Sequence, residues 1–174
     1  MSHHTIPKKR KLLKATSCVL VLWGEYFDEV AAATFIATLR QLGLCVRVVG
    51  VHGLLAAGRN GLALHADLTL SDVKTLINDV FCVILPCSRA AVKRLENDPR
   101  IHELFAGIAN NAAKVVVYDE GVRRQALLCA HPIARQDIVT YPHDANLTLF
   151  AQEMGRTLAL NAADHTERVV PLAN

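Results

Sequence analysis

Three unbroken apolar runs restrict what this chain can fold into: "CVLVLW" at 18–23, "VFCVILP" at 80–86 and "KVVVY" at 114–118. None alternates apolar with polar residues, so each reads as a strand covered on both faces, as in a parallel sheet between two layers of helices. The segments between them agree. After "GEYFDE", Ala32, Phe35, Ile36, Leu39 and Leu42 recur at helical spacing, and Gly43 supplies a stop. "LCVRVVG" at 44–50 then reads as a second strand reached by a right-handed crossover.

The middle of the chain is less regular. Gly53, Gly58, Asn60 and Gly61 mark a loop or hairpin before the extended piece "LALHADLTL", and Ser71 is placed to cap a helix running through Ile77. Pro86 ends the third strand, and a helix is expected from about Ala90. In "NDPRIHELFAGI", Asp98 can cap a helix whose first position is Pro99. "QDIVTY" is a fifth strand, and Leu147, Phe150, Ala151, Met154 and Leu158 form the stripe of a last helix. The expected fold is α/β: a flavodoxin-like three-layer sandwich whose doubly wound, mostly parallel sheet has about five strands, with helices on both faces.

The 174 residues are one domain's worth, and 52% of them are hydrophobic, enough for a full core. The division expected is a flexible arm at 1–16, an α/β domain at 17–161 and a tail at 162–174 whose "VVPL" docks on the body or on a second subunit. No apolar run approaches the roughly 20 residues of a membrane span, and nothing resembles a secretory signal, so a cytoplasmic protein is expected. The arm holds Lys8, Lys9, Arg10, Lys11 and Lys14 and no acid, which leaves the remainder slightly acidic. Contact with nucleic acid or an anionic surface is therefore expected only through Lys8, Lys9, Arg10 and Lys11. Five cysteines without a C-x-x-C pair suggest neither a disulfide framework nor a zinc site, and His65, His102 and His131 share no ligand spacing. No cofactor or metal is expected.

In a doubly wound sheet, ligands gather at the carboxyl ends of the strands. The residues there are Glu25, Asp28 and Glu29 after the first strand, Cys87 and Ser88 after the third, Asp119 and Glu120 after the fourth, and His143 and Asp144 after the fifth. No phosphate-binding glycine fingerprint accompanies them. One of the first three acids is expected to cap the first helix, and Cys87 is either a buried thiol or one exposed by the turn after Pro86.

The order of these pieces resembles the ThiJ/PfpI family of the class I glutamine amidotransferase-like superfamily. "VLVLWGEYFDEVAAATFIATLRQLGLCVRVVGVHG" is similar to the family's opening strand, F-E-D-x-E turn, helix and strand. "GLALHADLTLSDV" is similar to its D-x-x-L-x-D segment, and "FCVILPCS" stands where it has D-x-V-V-L-P-G-G. The resemblance implies a nucleophile elbow 33 positions after Pro86, and the residue there is Asp119 rather than cysteine. By the same matching, the acid that hydrogen-bonds the family's thiolate falls at Ala31, the histidine that often follows the cysteine at Glu120, and the glycine pair at Cys87 and Ser88. About 20 residues separate Asp119 from the last strand, so the family's excursion there is shortened.

A thiolate needs an electropositive or hydrogen-bonding setting, and Asp119 with Glu120 supplies the reverse. Cysteine-based catalysis is not expected. Asp119 has a structural role open to it, as the cap of a following helix whose dipole favours both acids. The leading reading is a non-catalytic or strongly diverged ThiJ/PfpI-like domain that binds a small ligand or self-associates, with a homodimer implied by the resemblance. The alternative is a small-molecule hydrolase in which Asp119 works with His143. Glu25, Glu29, Cys87, Ser88, Glu120 and Asp144 are the candidate ligand-binding residues.

Overall fold

The computed structural model describes residues 17–95, 97–111, 113–118, 138–142 and 146–163. The arm at 1–16, Asp119, Glu120, Cys129, His131, His143, Asp144 and the "VVPL" segment lie outside the described residues.

The three apolar runs become β1 (Cys18–Trp23), β6 (Val80–Leu85) and β7 (Lys114–Tyr118). Every residue of the first two is buried, as their unbroken hydrophobicity demands. With β2 (Val46–Gly50), β5 (Leu68–Thr69) and β8 (Ile138–Tyr141) they form one six-stranded sheet in the order β5-β2-β1-β6-β7-β8, parallel throughout. The count exceeds the expected five because β5 has only two residues, too few to leave a periodic signal. A separate antiparallel hairpin joins β3 (Leu55–Ala57) to β4 (Ala63–His65).

Helix α1 (Glu29–Gln41) carries the chain from β1 to β2 on one side. Helices α2 (Arg89–Leu95) and α3 (Pro99–Ala109) carry it from β6 to β7 in the other direction. Right-handed crossovers running in opposite directions place their helices on opposite faces, which yields the three layers. The last helix, α4 (Leu147–Ala163), packs on α1 so closely that a Cβ at Gly155 would come within 2.5 Å of Leu42. It runs two residues past the expected domain limit of 161. Phe35 of α1 sits at the centre of that contact, edge-on to Tyr141 and Phe150.

Gly43 ends α1 in the left-handed region (φ 78°), a conformation free of steric cost only for glycine, and its N–H donates to Arg40. Asp98 caps α3 by accepting from the Arg100 N–H at 2.9 Å, with Pro99 in the first turn. The expectation for Ser71 requires correction. Its side chain makes no cap, and the segment forms two 3-10 turns, Asp72–Thr75 and Ile77–Asp79, in place of one α-helix. Asp72 takes the ordering role, its carboxylate accepting from both the backbone N–H and the hydroxyl of Thr69. Among the described residues no helix is long and apolar enough to cross a membrane.

Candidate functional site

Strand β1 has β2 on one side and β6 on the other, so the chain reverses its direction of travel across the sheet between β1 and β6. The crevice beyond the carboxyl ends of these two strands is the position at which doubly wound folds bind ligands. Here it is bounded by Gly24–Glu29 and Pro86–Ser88. The Asp28 N–H donates to the Pro86 carbonyl at 2.7 Å, drawing the two loops together.

Asp28 is the acid that caps α1. One carboxylate oxygen accepts from the Ala31 N–H at 2.9 Å and the other pairs with the Arg59 guanidinium at 3.0 Å. Glu29 turns the other way, into the β3–β4 hairpin. It accepts from the Asn60 N–H (2.6 Å), the Asn60 side-chain amide (2.8 Å) and the Leu62 N–H (3.4 Å). Burial by itself would raise its pKa, but these donors outweigh it and hold the carboxyl below its ordinary range. Gly58 makes this possible: a Cβ there would lie 2.2 Å from Glu29. Glu25 stands exposed in the turn. Beside it, Tyr26 takes a left-handed backbone (φ 61°), a strained choice for a residue with a Cβ. Its N–H donates to Ala57 at 2.8 Å, and the Arg94 guanidinium lies over its ring at 5.1 Å.

Cys87 is 3% exposed. Burial pushes its thiol up to about 12; the Gly24 N–H hydrogen bond to sulfur works against this, and the nearby Asp28 charge adds to it. The turn after Pro86 thus buries this thiol. Ser88 accepts from the Ala91 N–H at 3.4 Å, at the start of α2. Tyr141, at the end of β8, completes the group. Burial drives its hydroxyl far above the usual phenol range, and its neighbours Cys87, Asp28 and Tyr118 add to the rise.

Of the candidate residues, the structure brings Cys87 to the crevice beside Asp28, places Ser88 at the start of α2, leaves Glu25 in solvent, and turns Glu29 into the hairpin. Asp119, Glu120, His143 and Asp144 follow β7 and β8 outside the described residues. Sequence reasoning missed Tyr141 and Arg59. Tyr141 was accessible as the last residue of a strand read correctly in type. Arg59 was not, because only the tertiary path of the hairpin brings it to Asp28. Exposed His65 and His102 lie on β4 and α3 and form no shared group.

A shallow cleft lies elsewhere, between the 3-10 turns and α3, lined by Leu70, Val73, Ile77 and Leu104 with the Lys74–Glu103 ion pair beside it. Of the strand-end residues named above it contains none.

Solved structures with the same fold include DJ-1 from Toxoplasma gondii in an oxidized form, at 17% identity and a TM-score of 0.66, covering 90% of this chain and all of that one. A cysteine-to-alanine mutant of a DJ-1 superfamily protein from Salmonella typhimurium matches at 17% and 0.67, covering 87% of this chain and 95% of the other. Drosophila melanogaster DJ-1beta matches at 14% and 0.67, covering 88% and 97%. No curated protein matches the chain significantly. Likeness at such identity speaks to fold alone, but the DJ-1/PfpI family model aligns to residues 17–141, from the residue before β1 to the end of β8. Since that span is most of the chain, the protein belongs to the DJ-1/PfpI family.

Proposed function

We propose that this chain is a DJ-1/PfpI scaffold that acts by binding and self-association, not by cysteine catalysis. The observation that carries the reading is Cys87. It is the cysteine that the described residues place at the strand-end crevice, and burial leaves it protonated at any physiological pH. The polar groups of the flanking loops are committed within the chain: Asp28 to the α1 cap and Arg59, Glu29 to the hairpin and Ser88 to the start of α2. By spacing, the family's elbow position holds Asp119, whose charge disfavours a thiolate nearby. A small ligand would enter between the loops after β1 and β6, with Glu25 at the rim.

Self-association is supported by the hairpin. Leu54, Leu55 and Leu62 are exposed on it, Leu55 at 68%, and exposed Tyr26 and Val30 flank its attachment to α1. A second copy of the chain would cover this apolar surface.

Two experiments test the proposal. Sedimentation velocity over a hundredfold concentration range should reveal a dimer that Leu55→Asp dissociates; a monomer throughout would remove the self-association part. Hydrolysis of esters, amides and phosphates should be absent. An activity lost in Asp119→Asn and in His143→Ala would instead establish the carboxylate hydrolase as the better reading.

A further inference from the structure

The amino-terminal end of the sheet, opposite the crevice, brings together two cysteines that the site does not use, Cys18 at the margin of the core and Cys45 at the surface. Cys18 opens β1, and Cys45 immediately precedes β2. The ladder between these strands pairs Val19 with Val46, and the Val19 N–H donates to the Cys45 carbonyl at 2.8 Å. Extending this register by one residue sets Cys18 opposite Cys45, just beyond the last ladder pair and next to a register shift between Cys18 and Val19 on the β6 side. Residues paired across a parallel ladder project from the same face, and neighbouring strands lie about 4.8 Å apart. That spacing falls within the roughly 4.4–6.8 Å Cα separation that a disulfide spans. Both thiols are free, with Cys18 buried and Cys45 exposed. Strand β5 reaches only Val49 and Gly50 of β2, so it does not cover Cys45.

We propose that Cys18 and Cys45 form an oxidant-responsive pair that closes to an intramolecular disulfide when a peroxide reaches Cys45. In the first step the Cys45 sulfur attacks the peroxide; an S–O bond forms, the O–O bond breaks, and water leaves behind a sulfenic acid. The Cys18 sulfur then attacks that of Cys45. An S–S bond forms, the S–O bond breaks, and the departing hydroxide takes the Cys18 proton as water. Overall, two thiols and one hydrogen peroxide become one disulfide and two waters. Burial, with Cys45 and Asp79 adding and Arg47 opposing, pushes the Cys18 thiol up to about 11. Closure therefore accelerates as pH rises.

The test uses the full wild-type chain and needs no variant to fold. After hydrogen peroxide treatment and alkylation of the remaining thiols, peptides are mapped without reduction. A linked pair containing Cys18 and Cys45, with two titratable thiols lost per chain, is the expected result. In Cys18→Ser, the Cys45 sulfenic acid should persist and react with dimedone. Oxidation of Cys45 to sulfinic acid, or a disulfide between two chains, with Cys18 still reduced in the wild type, would overturn the proposal.

Discussion

Strand β1 and the β3–β4 hairpin are held in place by opposite means. All six residues of β1 are buried, with a parallel partner on each side, so its stability is distributed over many apolar contacts. The hairpin has two three-residue strands that bury none of their residues fully, and a free-standing hairpin of that size is marginal in water. Half-buried Ala56 and Leu64 pack against the core, and the remaining ties to the body are polar: the Glu29 carboxylate on Asn60 and Leu62, the Arg59–Asp28 ion pair, and the backbone hydrogen bonds of Tyr26 to Ala57 and Arg59 to Phe27. A distributed anchor loses stability in proportion to what is removed. A polar anchor fails at single atoms.

The largest effect is expected in the strand. Leu20 is fully buried, and Leu20→Ala should cost about 4 kcal/mol in urea unfolding, from lost burial plus the cavity left behind. A loss under 1 kcal/mol would mean that the sheet centre is not close-packed. Next comes Glu29→Ala, which removes three charge-assisted hydrogen bonds to the hairpin and should cost about 3 kcal/mol. Its signature is local: hydrogen exchange should quicken in residues 55–65 and stay slow in β1.

The same carboxylate carries a pH dependence. Its folded pKa lies below the ordinary 4.5, so the unfolded chain binds the proton first as pH falls. The contribution is fully present above about pH 5 and lost as the pH drops through the folded value. The stability gap between wild type and Glu29→Gln should therefore narrow below pH 4; a gap constant from pH 7 to pH 3 would show that the charge contributes nothing.

Gly58→Ala is expected to cost about 2 kcal/mol, because its methyl would occupy the space of the Glu29 side chain. The two sites should couple. In a Glu29→Ala background the glycine substitution should become nearly neutral, and additive losses in the double-mutant cycle would refute the shared space. The smallest effect is expected at Leu55→Ser, within about 0.5 kcal/mol for an exposed side chain, with any larger consequence confined to association.

The strands β1, β6 and β7 and the helices α1, α3 and α4 were legible because each repeats a signal over many residues. The two-residue β5 repeats nothing, and Ser71 offered a correct cap residue at a place where the chain forms 3-10 turns. At the site, the list of strand-end residues follows from counting along the chain, but their partners do not. Glu25, Asp28 and Glu29 are indistinguishable as three acids in one turn; the structure sends one to solvent, one to the α1 cap and one to the hairpin. Cys87 was likewise open between a buried and an exposed thiol until the approach of Gly24 and Tyr141 decided it.

The sequence by itself determined the layered parallel architecture and the family, because apolar periodicity records, residue by residue, which surfaces leave water. Only the tertiary structure decided which carboxylate holds the hairpin, which thiol is sealed, and that Cys18 and Cys45 lie side by side. Those outcomes depend on contacts between segments more than sixty residues apart in the chain, and a side chain's environment there is set by neighbours that no local pattern encodes.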